Sequence, residues 1–360
     1  MSWKSPISMS TAKQMSCEIV IPFAISSETL TSADFVLVTI TDGNGISGIG
    51  EASPFPTLTG DNVAGVYPVV NHLLGLLHGR TAQGGLQFLK TLRAESFAVS
   101  PSGYVGVEMA LWDLHAKQLG VPLAALWGGA MLRKAVTDIT LPIMTPRTVE
   151  GFWSRFKNHG FTQLKVKVSG HVQDDLDLIF ALINLVPHAT RLTLDGNQGY
   201  RQENAKALLQ RLSEKDVRPL FFEQPLPADD WDGSRRLENE SGIPICLDET
   251  VATPAHAIRV VREKTASMIN LKIMKSGIAE TAQIIAVAQA ANIGLMIGGM
   301  LESEIAMSTS LQLALGVGGI DHFDLDTPFF FKNLVCKDSP WHRGKAELLR
   351  SDLPGNGLAL

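Results

Sequence analysis

Cysteine is scarce in this chain: Cys17, Cys246 and Cys336 stand far apart. Odd in number and widely spaced, they form neither a disulfide framework nor a zinc-binding spacing, and a reducing cytoplasm is the expected setting. Charge of one sign is also lacking. The formal net charge is −5 with no long basic or acidic run, so nothing resembles the electrostatic footprint of a nucleic-acid-binding protein. Long hydrophobic runs are missing too. The most apolar stretch, IIAVAQAANIGLMIGGM, is broken by Gln289 and Asn292 and divides into a helix, a turn and a strand rather than a membrane span. The opening MSWKSPISMSTAKQ holds no apolar leader-like core. Neither nucleic acid nor membrane is therefore expected as a partner. What remains is a 360-residue chain, 45% hydrophobic and 19% charged, as in ordinary soluble proteins and ample for a large core.

The first part reads as α+β. Strands are expected at Ser16–Phe23, Ala33–Thr41 and Ile46–Ala52, with DGNG (residues 42–45) as a hairpin turn between the last two. That turn contains a decoy, because Gly43, Gly45 and Gly48 match G-x-G-x-x-G. A dinucleotide fingerprint requires a helix after the glycines, and here a strand follows, so the match is rejected. Helical periodicity then dominates Val63–Leu77 and Ser102–Leu119.

From about Ala135 short apolar strands alternate with amphipathic helices. The strands are AVTDITLPI, QLKVKV, RLTLDGN, PLFFEQP, PICLDET, SMINLKI, IGLMIGG and HFDLD. The helical candidates include Val172–Val186, Glu203–Leu212, Pro254–Glu263, Ile278–Ala290 and Ser303–Leu315. Eight strands, most followed by a helix-sized segment, argue for a parallel sheet closed into a β/α barrel.

Catalytic groups of such barrels sit at the C-terminal strand ends. Read in order, those ends carry Lys165 and Lys167, then Asp195, Glu223, Asp248, Lys272, and finally Asp324 and Asp326. A buried charge costs several kcal/mol unless it is paired or binds a metal. Three carboxylates on adjacent strands can converge in the barrel mouth, and an all-oxygen ligand set selects a hard cation such as Mg²⁺. Asn197, Gln198 and Gln224 lie beside these acids as hydrogen-bonding neighbours. Lysines from strands on either side of the acids would face each other across the mouth. A substrate carboxylate on the metal would lie between them, which suits removal of the proton from the adjacent carbon and its return from either face. The resulting enolate is doubly negative on its oxygens, and a divalent metal stabilises that charge. A lysine acting as base must be neutral. Nearby positive charge and desolvation favour that form, so Lys165 is expected to assist Lys167.

These residues resemble the enolase superfamily, specifically its muconate-lactonizing subgroup. The likeness runs through EMALWDLHAKQLGVPLAALWGG, LKVKV, LDGNQGY, FFEQP, LDET, NLKIMKSG, GGMLES and PGNGLAL, and so covers nearly the whole chain. It implies an α+β capping domain over residues 1–130, a modified TIM barrel, (β/α)₇β, over 131–327, and a segment 328–360 packing back on the cap. It also implies one Mg²⁺ per subunit on Asp195, Glu223 and Asp248, Lys167 and Lys272 as the acid/base pair, and a homo-oligomeric enzyme. Sites of this superfamily use a Lys or His base with Mg²⁺ at the ene-diolate. Asp324 and Asp326 resemble the Asp-x-Asp signature of dipeptide epimerases, where such a pair holds the substrate's free ammonium group. Met300 in GGMLES is expected to touch substrate as well.

The resemblance thus implies a Mg²⁺-dependent isomerase that inverts the C-terminal α-carbon of a dipeptide. The alternatives are an N-acylamino-acid racemase or o-succinylbenzoate synthase of the same subgroup, or a non-catalytic barrel used for binding. Muconate and succinylbenzoate offer no ammonium to the two aspartates. One departure bears on specificity. Ala-Glu epimerases carry an arginine in the mobile cap loop, where the aligned residue here is Glu28. An acidic side chain would be repelled there, so the expected second residue is uncharged or cationic rather than Glu.

Overall fold

The computed structural model describes residues 4–26, 28–128 and 130–360. The chain opens with a meander of three antiparallel strands, β1 (Ile7–Ala24), β2 (Thr29–Asp42) and β3 (Ser47–Ala52), in the order β1-β2-β3. Strand β1 begins well before the expected Ser16. Its early residues, Met9 to Gln14, are mostly polar and largely exposed, so their pairing with β2 leaves little hydrophobic signal. The β2–β3 turn is the expected DGNG hairpin, with Asp42 Oδ1 accepting from Asn44 N at 2.9 Å and Ile46 N at 3.0 Å.

A short turn of helix, α1 (Pro56–Thr59), precedes three long helices: α2 (Val63–Leu77), α3 (Ala82–Val99) and α4 (Pro101–Leu119). Helix α3 was not expected, since QGGLQFLKTLRAES mixes paired glycines with exposed charges. Three of its residues are buried, Ala82, Gly85 and Leu89. Helix α4 lies directly on β3, and the two glycines of that strand explain how. A Cβ on Gly48 would sit 2.2 Å from Ala110 O, and one on Gly50 would sit 2.2 Å from Gly106 O. Gly48 therefore serves helix–strand contact, not a phosphate.

After β4 (Lys134–Val136), eight parallel strands follow: β5 (Ile139–Leu141), β6 (Gln163–Lys167), β7 (Arg191–Asp195), β8 (Phe222–Glu223), β9 (Ile245–Leu247), β10 (Met268–Leu271), β11 (Gly294–Ile297) and β12 (His322–Phe323). They are hydrogen-bonded in chain order from β5 to β12. A parallel bridge between Thr137 and Phe323, with Asp138 N donating to Phe323 O at 3.0 Å, joins the two ends and closes the barrel. Around it run α5 (Val149–Phe156), α6 (Val172–Ile183), α7 (Gln202–Ser213), α8 (Trp231–Ser241), α9 (Pro254–Glu263), a single turn α10 (Ile273–Ser276), α11 (Ile278–Ala290) and α12 (Glu304–Val317). No described helix is long and apolar enough to cross a membrane.

The main apolar core lies between barrel strands and helices, and a second one fills the N-terminal sheet and its helices. Carboxylates tie the two bodies together. Glu51 on β3 accepts from Ser303 N at 2.8 Å, and Glu108 on α4 accepts from Ile278 N at 2.8 Å. The C-terminal residues return to the N-terminal body. Leu123 N donates to Gly355 O at 2.7 Å, and Asn356 N to Asp113 Oδ1 at 2.7 Å, while β13 (Glu347–Leu349) pairs antiparallel with β4.

The β3–α4 contact yields a paired test. Gly50→Ala forces a methyl against backbone and is expected to cost about 3 kcal/mol, the upper end of ordinary overpacking. Gly151→Ala in α5 meets nothing within 4 Å and should gain about 0.5–1 kcal/mol from helix propensity. Urea unfolding of both variants checks the two signs.

Candidate active site

All five residues of β6 are buried, and their alternation decides the site. Leu164 and Val166 enter the core beneath the helices. Lys165 and Lys167, 1% and 7% exposed, turn into the barrel. Lys165 Nζ lies 2.8 Å from Glu223 Oε2, 2.8 Å from Asp324 Oδ2 and 3.0 Å from Asp195 Oδ2. Lys167 Nζ donates to Asp195 Oδ2 at 2.6 Å and to Asn197 Oδ1 at 2.9 Å. Lys272, just past β10, lies 2.7 Å from Asp248 Oδ2.

The three expected metal-binding acids end adjacent strands or follow them, and all are fully buried. Asp195 and Glu223 are register partners. Burial works against every one of these charges, and the neighbours set the outcome. Against burial, Lys167, Lys165 and Lys272 hold Asp195 down at about 2. Lys272 and Lys275 likewise hold Asp248 below the usual carboxylate range. Burial and the charge of Asp195 push Glu223 up to about 7. Burial alone would lower Lys165 and Lys272, but the surrounding carboxylates outweigh it and hold both above the ordinary lysine value, the reverse of the neutral form expected for a base; a divalent cation on Glu223 and Asp248 would offset the charge that raises Lys272.

The donor chemistry of this trio fits Mg²⁺: three buried carboxylates, oxygen only, presented from one arc of the barrel. Glu223 Oε2 and Asp248 Oδ2 receive no directed hydrogen bond, only the nearby ammonium charge, so both retain acceptor capacity.

Neighbouring side chains hold the trio in place. Gln224 Oε1 accepts from Asp248 N and Thr250 N, and its Nε2 donates to Thr250 Oγ1 and Leu226 O, which joins the Glu223 loop to the Asp248 loop. Asn197, Gln198 and Gln224 all have positive φ, a strained backbone for side-chain-bearing residues that persists only where the surroundings enforce it. Gln198 lines the cavity and accepts from Ala228 N at 3.0 Å.

A cavity of about 270 Å³ opens above these groups. Phe23, Ile25, Phe55 and Leu58 from the N-terminal body, with Met300 and Leu301, form an apolar wall; Lys165, Lys167, Lys272, Asp324 and Asp326 form a charged floor. Asp324 and Asp326 lie beyond the end of β12 rather than on it, yet both reach the same cavity. Asp326 Oδ2 accepts from Thr140 N at 2.6 Å. Met300 N donates to Glu302 Oε1 at 2.8 Å, which fixes the loop that carries Met300. Glu28 is placed differently. Its Oε1 accepts from Thr57 Oγ1 at 3.2 Å, and it faces an adjoining groove shared with Leu30, Pro54 and Leu301 instead of the cavity. His322 is half-buried, with Nδ1 3.4 Å from Gln163 Oε1.

Several site residues were missed. Lys275 Nζ donates to Asp248 O at 2.5 Å, Asp248 Oδ1 at 2.8 Å and Asn270 O at 3.1 Å, and Asn270 Nδ2 donates to Glu223 Oε1 at 2.7 Å. Glu249 lines the cavity, and burial followed by Asp248 and Asp195 raises it to about 8. Thr140 lines the cavity as well. Each sits within a quoted motif: NLKIMKSG, LDET or VTDITL. Among the described residues, the group of three acids that each bring an oxygen within 4.8 Å of the other two is Asp138, Asp324 and Asp326.

Residues 9–128 match the mandelate racemase / muconate lactonizing enzyme N-terminal domain, and residues 148–360 match the enolase C-terminal domain-like family. An aromatic dipeptide epimerase from Herpetosiphon aurantiacus is 35% identical over 356 residues, covering 97% of this chain and 98% of that one. A hydrophobic dipeptide epimerase from Citrifermentans bemidjiense is 34% identical over 86% of each chain. A crystal structure of a dipeptide epimerase from Enterococcus faecalis, complexed with Mg and L-Leu-L-Tyr, is 25% identical with a TM-score of 0.91, covering 99% of this chain and 100% of that one.

The Lys275 contacts predict a measurable effect on metal affinity. Lys275→Met removes all three bonds that brace Asp248 and Asn270, and is expected to weaken Mg²⁺ binding about 10- to 100-fold. Calorimetric titration of the full chain with MgCl₂ measures this; unchanged affinity in the folded variant would show that Asp248 needs no such brace.

Proposed function

Because this chain belongs to the mandelate racemase/muconate lactonizing enzyme family of the enolase superfamily, we infer that it is a Mg²⁺-dependent dipeptide epimerase acting on substrates with an apolar C-terminal residue. The observation that carries this reading is the content of one cavity. Lys167 and Lys272 border it, each beside a carboxylate of the metal trio, and Asp324 and Asp326 border it too. A dipeptide is a molecule whose carboxylate and ammonium can meet both sets at once.

In this reading Asp195, Glu223 and Asp248 would hold Mg²⁺, whose positive charge would stabilise the negative charge that builds on the substrate carboxylate. One of Lys167 and Lys272 takes the α-proton and the other returns a proton to the opposite face, which inverts the centre. Asn197 keeps Lys167 Nζ directed by its 2.9 Å bond. Lys165 contacts both Asp195 and Asp324 and so links the charge at the two ends of the substrate. Asp324 and Asp326 pair with the ammonium, which sets the substrate's length and disfavours N-acylated amino acids.

Specificity follows from the wall. The second residue's side chain would lie against Phe55, Leu58, Met300 and Leu301, and about 25 cal/mol per Å² of buried apolar area favours an apolar group there. Glu28 lies behind this wall, held by Thr57 in the adjoining groove rather than in the cavity. The names of the Herpetosiphon and Citrifermentans relatives, aromatic and hydrophobic dipeptide epimerase, support the same preference.

A panel of L,L-dipeptides with the configuration of the second residue followed over time tests this reading. Dipeptides ending in Phe, Tyr or Leu should epimerise with kcat/KM at least about tenfold above Ala-Glu, one apolar side chain being worth roughly 1.5–3 kcal/mol when buried. Chelation by EDTA should stop the reaction. Preferential turnover of Ala-Glu would overturn the specificity, and turnover of N-acylated amino acids but no dipeptide would overturn the activity.

A further inference from the structure

Asp138 is a buried acid that the mechanism above leaves unused. It precedes β5 and shares the inward face with Thr140, two residues on. Thr140, Asp324 and Asp326 line the cavity, whereas Asp138, 1% exposed, is not among the residues that line it. Its carboxyl comes within 4.8 Å of those of Asp324 and Asp326. Neither of its oxygens accepts a hydrogen bond from any donor among the described residues.

The two neighbouring acids are supplied with donors. Lys165 Nζ donates to Asp324 Oδ2 at 2.8 Å, Thr140 Oγ1 lies 3.5 Å from Asp324 Oδ1, and Thr140 N donates to Asp326 Oδ2 at 2.6 Å. Donors favour the ionised form of the acid that receives them. A buried acid without donors, next to two other acids, is driven to its neutral form. Burial first, then the charges of Asp324 and Asp326, push Asp138 well above the usual carboxylate range, and Lys165 opposes this without reversing it. These three are the charged groups facing it. A neutral carboxyl has one O–H to donate, and the acceptors beside it are the acids that border the cavity.

We propose that Asp138 is a positioning residue: as a neutral acid it donates a hydrogen bond to the Asp324/Asp326 pair, takes one negative charge out of the three-acid cluster, and holds the pair in the geometry that receives the substrate's ammonium group. This rests on the dipeptide reading. The proton transferred at the α-carbon does not involve it.

Two substitutions of similar size separate the roles in the full-length, Mg²⁺-loaded protein. Asp138→Asn keeps a donor without a titrating proton, so KM and kcat for an apolar dipeptide should stay within about threefold of wild type. Asp138→Leu removes the donor. It should raise KM about tenfold or more, the effect of a lost charge-assisted hydrogen bond, while kcat changes less than about threefold. Asp138→Ala serves as a second donor-free variant should the Leu variant fail to fold. The proton itself is read without activity. The infrared difference spectrum between wild type and Asp138→Asn at pH 7 should contain a protonated-carboxyl C=O band from the wild type. A KM defect in Asn equal to that in Leu, an unchanged KM in Leu, or a carboxylate band in place of the carboxylic acid band would each overturn the proposal. If wild type epimerises no dipeptide, the functional reading fails instead, and the infrared band still decides whether Asp138 carries the proton.

Discussion

Ammonium–carboxylate contact in a buried barrel mouth is the constraint on which the rest depends. Lys165, Lys167, Lys272 and Lys275 are each less than a tenth exposed, and each lies within hydrogen-bond distance of a buried acid. Replacement of a buried ion pair by well-packed apolar residues is often neutral or stabilising, so such a network is weak evidence for stability. Its arrangement is better explained by what it presents. Lys165, Lys167 and Lys272 border the cavity, with Asp195, Glu223 and Asp248 against their ammonium groups, and that oxygen-only set suits a hard cation. The fold keeps this charge tolerable by bracing it: Gln224 joins two of the loops, Asn270 holds Glu223 and Lys275 holds Asp248.

The barrel carries charge and the N-terminal body carries shape. The apolar cavity wall comes partly from Phe23, Ile25, Phe55 and Leu58, none of which lies on a barrel strand. Glu51 and Glu108 lock that body to the loops that follow the barrel strands. Chemistry and specificity are thus supplied by separate bodies held in one register, so the wall can vary without disturbing the acids and lysines.

The charged strand ends were legible because period two is a strong constraint. In QLKVKV, Leu164 and Val166 need the core, so Lys165 and Lys167 must share the other face. The following acids each close an apolar run. Other features left weaker signals. The early residues of β1 are mostly exposed and polar, and α3 buries little. Asp138 and Thr140 alternate with Ile139 and Leu141 in VTDITL as the lysines do in QLKVKV, but one inward acid on a short strand reads like any strand start. Lys275 follows Lys272 by three residues, and sequence alone does not reveal that a helical turn sends both to Asp248. Alignment brought Glu28 to the substrate loop, but the direction of its side chain, toward Thr57 and the adjoining groove, depends on packing that spacing does not encode.

The central claim is that two lysines on opposite sides of one cavity exchange protons with the substrate's α-carbon. Deuterium wash-in from D₂O, followed by NMR for each epimer of an apolar dipeptide with Lys167→Ala and Lys272→Ala in the presence of Mg²⁺, tests it most directly. The account predicts that each variant loses epimerisation, and that each retains α-proton exchange with one epimer only, the retained epimer differing between the two. Continued epimerisation in either variant, or exchange of the same epimer in both, would contradict it.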